Sequence, residues 1–382
     1  MTVFHILGLG TALPEHSISQ VGAATFATTV VVPEAGEATR VPALIQALYR
    51  RAGVQTRHSV LLETSDDKEA TAERFYRFAK DADDKGPGTA ERMKRYEKEA
   101  PLMAVRAAAA AIESAGVEAS EITHLITVSC SGFSAPGVDL YLIENLGLPA
   151  TVSRTHVGFM GCHGALNGLR VARAFAAADP NAVVMLCAIE LCSLHHQYGW
   201  DPQKIVANSL FADGAAVVIG RGGPKAPDAD TPFTNHAHAT EFPGSLVDNY
   251  SCVIPETAEM MTWNIRDNGF EMTLSPEVPG VITRMLPGVL ELFLSRNCLT
   301  LADIRSWAIH PGGPRILAAT AEAAQLSEET MNPSVSILQR CGNMSSPTVL
   351  FILEELKTRG AELPCMMLGF GPGLNVEMAL LQ

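Results

Sequence analysis

Positive charge is in short supply in this 382-residue chain. Lysine and arginine total 28 against 41 aspartates and glutamates, a formal net charge of −13. A surface so acidic argues against nucleic acid as a partner and leaves only a local basic patch for a phosphorylated ligand. Long apolar runs are missing as well. No stretch reaches the roughly 18 residues of a membrane-spanning helix, so no membrane span is expected. No basic leader precedes the apolar part of "MTVFHILGLGTALPEH", which reads as a first strand ending in a glycine turn and not as a secretory signal. The eight cysteines include no CxxC pair. That argues against a disulfide framework or zinc site and favours reduced thiols in a cytoplasmic protein. Cys187, Cys192, His195 and His196 stand close in sequence, but no other ligand spacing supports a metal there.

What is present is a large apolar complement, 47% hydrophobic against 18% charged, which suits a soluble globular enzyme. The length exceeds what one ordinary core serves, so two domains or one duplicated unit are expected. Strand-like runs alternate with helical ones: "ITHLITVSC", the helix after Cys162, "AVVMLCAIE", "GAAVVIG". This predicts an α/β fold. The Pro-, Gly- and Asp-rich "RGGPKAPDADTPF", residues 221–233, marks a boundary between residues 1–225 and 226–382.

The second part repeats the first in outline. "ITHLITVSCSG" pairs with "IRSWAIHPGG", "GCHGALNGLRVARAF" with "GNMSSPTVLFILEEL", and "VVMLCAIE" with "CMMLGFGP". Cys130 to His310 is 180 residues, Cys162 to Asn343 is 181 and Leu186 to Leu368 is 182. Near-equal offsets indicate duplication. A pseudo-two-fold axis would then bring two buried helix N-termini together, with Cys162 near Asn343 and His310 at the adjacent strand end.

Cys162 at a helix N-terminus, with a histidine nearby, has the setting of a nucleophile whose thiol pKa is lowered. Gly161 and Gly164 would leave room for substrate, and Gly168 would let the helix pack closely. A structural buried cysteine, a core histidine at position 310 and an asparagine that merely caps its helix remain open on these stretches alone. "GFGPGL", Gly369–Leu374, lacks the lysine and following helix of a phosphate loop.

Taken together, "IHPGGPRIL", "GNMSSPTVLFIL", "GFGPGLNVEMALL", "GCHGALNGLRVA" and "SLFADGAAVVI" resemble the signatures of type III polyketide synthases, the chalcone and stilbene synthase-like enzymes. The resemblance runs from about Ile6 to the end. It implies a thiolase-like αβαβα layered fold, a homodimer, and a Cys162–His310–Asn343 centre using acyl-CoA and malonyl-CoA, without metal or cofactor. It also implies that Phe211 gates the cavity and that Cys130, Cys192, His195, Trp263, Met272 and Ser345 line it. Basic residues near "LYRRAGVQTRHSVL", among them Arg51 and Arg57, would bind coenzyme A. Trp263 stands where the plant pattern has glycine and Met272 where it has a second gatekeeping phenylalanine. Trp263 in "TWNIRDNG" resembles the microbial members, which make pyrones, resorcinols or naphthalenes. A single-condensation ketoacyl-carrier-protein synthase III, or an acyl-binding scaffold without catalysis, are the rival readings; a hydroxymethylglutaryl-CoA synthase would need an acidic residue in place of the asparagine.

Overall fold

The computed structural model describes residues 2–34, 36–65, 74–224 and 244–382. The first part runs β1 (Thr2–Ala12), β2 (Ser17–Ser19), α1 (Gln20–Thr29), α2 (Arg40–Arg51), β3 (Thr56–His58), α3 (Thr89–Ala115) and β4 (His124–Ser129). It continues through α4 (Val138–Leu146), β5 (Ser153–Gly158), α5 (Gly164–Ala178), β6 (Val183–Leu191), α6 (Pro202–Leu210) and β7 (Asp213–Pro224). The second part comprises β8 (Ser245–Val253), β9 (Met261–Arg266), β10 (Gly269–Leu274), α7 (Val278–Arg296) and β11 (Ser306–Ile309). After these come α8 (Pro314–Ala324), α9 (Glu328–Cys341), α10 (Thr348–Thr358), β12 (Cys365–Gly371) and β13 (Asn375–Leu381). Most of the expected boundary segment falls among residues 225–243, outside the described residues.

Strand order carries the duplication. One half-sheet is β5-β4-β6-β7-β1 and the other β11-β12-β13-β8, joined where β1 meets β8 at Phe4–Leu246 and His5–Ser245. Read from the shared edge, β1, β7, β6 and β4 correspond to β8, β13, β12 and β11, with the same parallel and antiparallel senses. β5 has no counterpart among the described strands. The three pairs of stretches matched by offset are β4 with β11, α5 with α10, and β6 with β12.

Layering follows from strands buried on both faces. In β6, Val184, Leu186 and Ala188 join the core that holds α5 and α10, while Met185, Cys187 and Ile189 join the core under α3. In β12, Cys365 and Met367 face that same central core, while Met366, Leu368 and Phe370 pack under α7 and α8. A strand covered on both sides reads as a continuous apolar run, which is why "VVMLCAIEL" shows no alternation. The result is helices, sheet, buried helix pair, sheet, helices: the thiolase-like αβαβα arrangement.

α7 corrects one expectation. At 19 residues it is long and apolar enough to cross a bilayer. Val281, Ile282, Leu286, Leu290 and Phe293 nevertheless bury its inner face in the core shared with α8 and β12. α3 approaches β1 so closely that Gly10 has no room for a side chain. A Cβ there would lie 2.3 Å from the Ala107 carbonyl oxygen and 2.4 Å from the Ala111 nitrogen.

Gly10→Ala should therefore lower unfolding free energy by at least about 1–3 kcal/mol in chemical denaturation. Gly288→Ala, a helix position with nothing within 4 Å, should be neutral or stabilising by up to about 1 kcal/mol. Equal stability of Gly10→Ala and the parent would contradict the packing.

Candidate active site

Cys162 directly precedes His163, the N-cap residue of α5, so it sits at the positive end of a buried helix. Its loop is held from outside. The Gly161 amide donates to the Cys130 sulfur at 2.9 Å. A Cβ on Gly161 would strike Pro372 at 2.3 Å, and one on Gly164 would meet Val128 at 2.9 Å. Those glycines serve close packing, which corrects the expectation that they clear a path to the sulfur. Gly168 does pack closely, with Leu186 2.6 Å from where a Cβ would be.

Asn343 lies in the short segment between α9 and α10. Its backbone is clamped to the end of α6: its N–H donates to Leu210 O and its carbonyl accepts from Ala212 N–H, both at 2.9 Å. The Ser345 amide donates to Asn343 Oδ1 at 2.8 Å. With the oxygen so occupied, the amide nitrogen is the end left to face the site. Ser345 has a left-handed backbone, φ 58°, a strained conformation of the kind found at functional turns. Asn343 and Ser345 both offer hydrogen bonds to the Cys162 sulfur.

His310 follows β11, with its N–H on Leu368 O at 2.8 Å and the Pro311–Gly313 loop after it. The ring is buried and neither nitrogen has a partner. Buried polar atoms are rarely left bare, so the ring is set to receive a ligand. It lies within electrostatic reach of His163.

The protonation state differs from expectation. Burial pushes the Cys162 thiol up to about 11; hydrogen bonding from Ser345 and Asn343 works in the opposite direction, while the charge of Glu190 adds to the rise. Burial, helped by His163, pushes His310 down to about 3. Burial thus works against the expected thiolate, since it favours the neutral forms of both Cys162 and His310.

Two compartments meet here. The inner one is bounded by Cys130, Cys162, Glu190 and Ser345, and has about 30 Å3 open to the centre of a water molecule. That is room for about two waters. The outer one has about 110 Å3, with Ile18, Phe26, Leu61, Leu62 and Phe75 on its wall. Cys192, Phe211, Trp263 and Met272 border both and form the partition. Trp263 and Met272 are cross-strand partners on β9 and β10, and the indole N–H donates to Cys130 O at 2.8 Å. His195 lines the outer compartment with both nitrogens spent, Nε2 donating to Ser131 O at 2.7 Å and Nδ1 accepting from Phe270 N–H at 2.9 Å. Its ring stacks on Phe270.

The coenzyme A residues read from sequence fare differently. Arg51 is exposed in the last turn of α2, outside both compartments. Arg57 is buried, and its guanidinium donates to Asn208 O at 2.7 Å, Ser209 O at 2.6 Å, Phe211 O at 3.1 Å and Gln20 Oε1. It satisfies the C-terminal carbonyls of α6 and fixes Phe211, so it is not available to a phosphate. Arg57 borders the outer compartment with its donors already spent; Arg74 and Lys204, which sequence reading passed over, line it as well.

It also passed over Glu190. This fully buried carboxylate accepts from Cys130 N–H and Ser131 N–H at 2.9 Å and from Ser131 Oγ and Ser346 Oγ at 2.6 Å. The signal was a lone acid inside an apolar strand.

The halves of the chain match the family models for chalcone and stilbene synthases, the N-terminal domain over residues 2–224 and the C-terminal domain over 245–382. The chain belongs to this family of type III polyketide synthases. It is 31% identical to the alpha-pyrone synthesis polyketide synthase-like Pks18 of Mycobacterium tuberculosis, over 98% of this chain and 90% of that one. It is also 31% identical to the 1,3,6,8-tetrahydroxynaphthalene synthase of Streptomyces peucetius subsp. caesius, over 99% and 92%. The crystal structure of PKS-I from the brown alga Ectocarpus siliculosus superposes with a TM-score of 0.87 at 28% identity, covering 100% of this chain and 98% of that one. The synthase is thus a decarboxylating condensing acyltransferase.

Trp263→Gly should merge the two compartments of the synthase. Product analysis should show longer chains or acceptance of a bulkier starter, with acyl loading on Cys162 intact. An unchanged product profile from a folded variant would remove the indole from the partition.

Proposed function

We propose that Cys162 is the nucleophile and that His310 and Asn343 activate the extender. What supports this is a buried His310 ring with two unpartnered nitrogens, within electrostatic reach of His163 beside Cys162, and an asparagine amide turned toward the Cys162 sulfur. The Cys162 thiol passes its proton to His310 as the sulfur attacks the carbonyl of an acyl-CoA, and coenzyme A leaves as the free thiol. Malonyl-CoA then binds with its thioester oxygen on His310 and Asn343. Loss of CO2 places an enolate on that oxygen, where preorganised donors are worth most. The enolate carbon attacks the acyl-cysteine, the Cys162 sulfur leaves, and a β-ketoacyl-CoA two carbons longer results. Reloading and repetition give a poly-β-ketone that cyclises to a pyrone, resorcinol or related aromatic. Coenzyme A thioesters are the substrates, and the sequence of steps calls on no metal or redox cofactor.

The apolar wall of the outer compartment suits the acyl part of a starter, and the partition of Phe211, Trp263 and Met272 meters its passage. The relatives named for pyrone and tetrahydroxynaphthalene synthesis support a small aromatic or pyrone product. We place the synthase in the cytoplasm as a homodimer. β5 is a sheet edge paired only to β4, and Phe133, Phe159 and Met160 beside it are partly exposed, an apolar strip that a second copy would cover.

Cys162→Ala should abolish the acyl adduct and all polyketide while malonyl-CoA decarboxylation partly survives, as followed by mass spectrometry and CO2 release. Full product formation by this variant would overturn the mechanism. Light scattering should give twice the 40.7 kDa of one chain, and Phe159→Arg should shift the mass toward the monomer; a monomeric parent would refute the dimer.

A further inference from the structure

The groups assigned to chemistry come from both halves of the duplicated fold, Cys162 from the first and His310 and Asn343 from the second. The residues on either side of Cys162 are seated on the second half. Gly161 lies against Pro372, and a Cβ on Gly371 would fall 2.3 Å from His163 Cδ2. The glycines of "GFGPGL" are therefore what admits the His163 ring.

That ring is buried and fully bonded. Asn375 Nδ2 donates to Nε2 at 3.4 Å, which leaves the proton on Nδ1, 2.7 Å from Asn167 Oδ1. Asn167 Nδ2 donates onward to Glu377 Oε1 at 2.9 Å. Glu377, buried in β13, also accepts from Asn375 Nδ2 at 3.0 Å, from Ser251 Oγ at 2.6 Å, and from the Arg170 guanidinium. His163, Asn167 and Arg170 lie on one face of α5, so the nucleophile's own helix is tied to β13 and β8 by a polar network inside an apolar fold. Burying so many polar groups is costly unless they are bonded to one another; here every atom but Asn375 Oδ1 finds a partner, and the bonds run from the helix of the nucleophile to the second half.

We propose that His163 is a positioning residue: through Asn167, Asn375 and Glu377 it locks the Cys162 loop onto the second half, so that the sulfur meets a thioester held by His310 and Asn343. This rests on the reading of Cys162 as nucleophile. Displacing a reacting atom by about 1 Å can cost about 100-fold. The hydrogen bonds of the lock touch neither His310 nor Asn343, so decarboxylation of malonyl-CoA should depend on it far less.

The test separates these two reactions. In His163→Phe, which keeps a ring but loses both bonds, acylation of Cys162 at saturating acyl-CoA should slow about 10- to 100-fold. Malonyl-CoA decarboxylation, compared between Cys162→Ala and the Cys162→Ala/His163→Phe double variant, should stay within about threefold, since preorganised second-half donors are untouched. His163→Asn returns an N–H near the position of Nδ1 and should restore most of the acylation rate. Unimpaired acylation in His163→Phe, a parallel loss of both reactions, or no recovery in His163→Asn would each overturn the proposal. If His163→Phe does not fold, Glu377→Gln is read by the same two rates. Absence of any adduct on Cys162 of the unaltered protein would instead refute the nucleophile assignment.

Discussion

Polar atoms buried along the seam between the two halves must find partners there, because burial removes them from bulk solvent, and the rest of the molecule is arranged around that requirement. Asn343 bonds across to Leu210 and Ala212, Ser346 to Glu190, and Asn167 to Glu377. Each of these joins a residue of the first half to one of the second. In a dry interior an unmade hydrogen bond costs about 1–3 kcal/mol, so the seam has few alternative registers. The His310 ring stands out with both nitrogens unpartnered, and on the proposed reading that is where substrate enters the scheme.

Much of the architecture was legible in the chain because duplication leaves a periodic trace. Strands covered on both faces appear as unbroken apolar runs, and near-equal offsets tie "SWAIH" to "ITVSC" whatever their loops do. β9 and β10 left no such trace, although they carry Trp263 and Met272; they belong to neither repeat and pair only with each other. α7 does not read as an unbroken apolar run because Arg284 and Glu291, exposed on its outer side, interrupt the sequence.

The site was legible in part. Motif spacing singled out Cys162, His310 and Asn343, the residues proposed for the chemistry, since loops at strand ends keep such residues in short words. Arg57 was misread, because basic residues in sequence do not reveal whether their donors are already taken by carbonyls about 150 positions away. The expected thiolate failed for a related reason. Sequence shows a cysteine, a helix and a histidine, but the balance between dipole and desolvation depends on how completely the pocket is closed. Glu190 and His163 were unread for the same cause: their meaning lies in partners from other strands.

The β9–β10 pair shares no hydrogen-bond ladder with the nine-stranded sheet, yet supplies two of the four side chains that divide the cavity. On the proposed reading, shape selection is thus mounted on a separate ribbon, tied down through Trp263 and Phe270, while bond making is anchored in the seam. A lineage can exchange residues on the ribbon without disturbing strand register or the reacting centre. Product diversity within such a fold therefore comes at little risk to foldability, and two descendants can differ in what they make while remaining nearly superposable in how they make it.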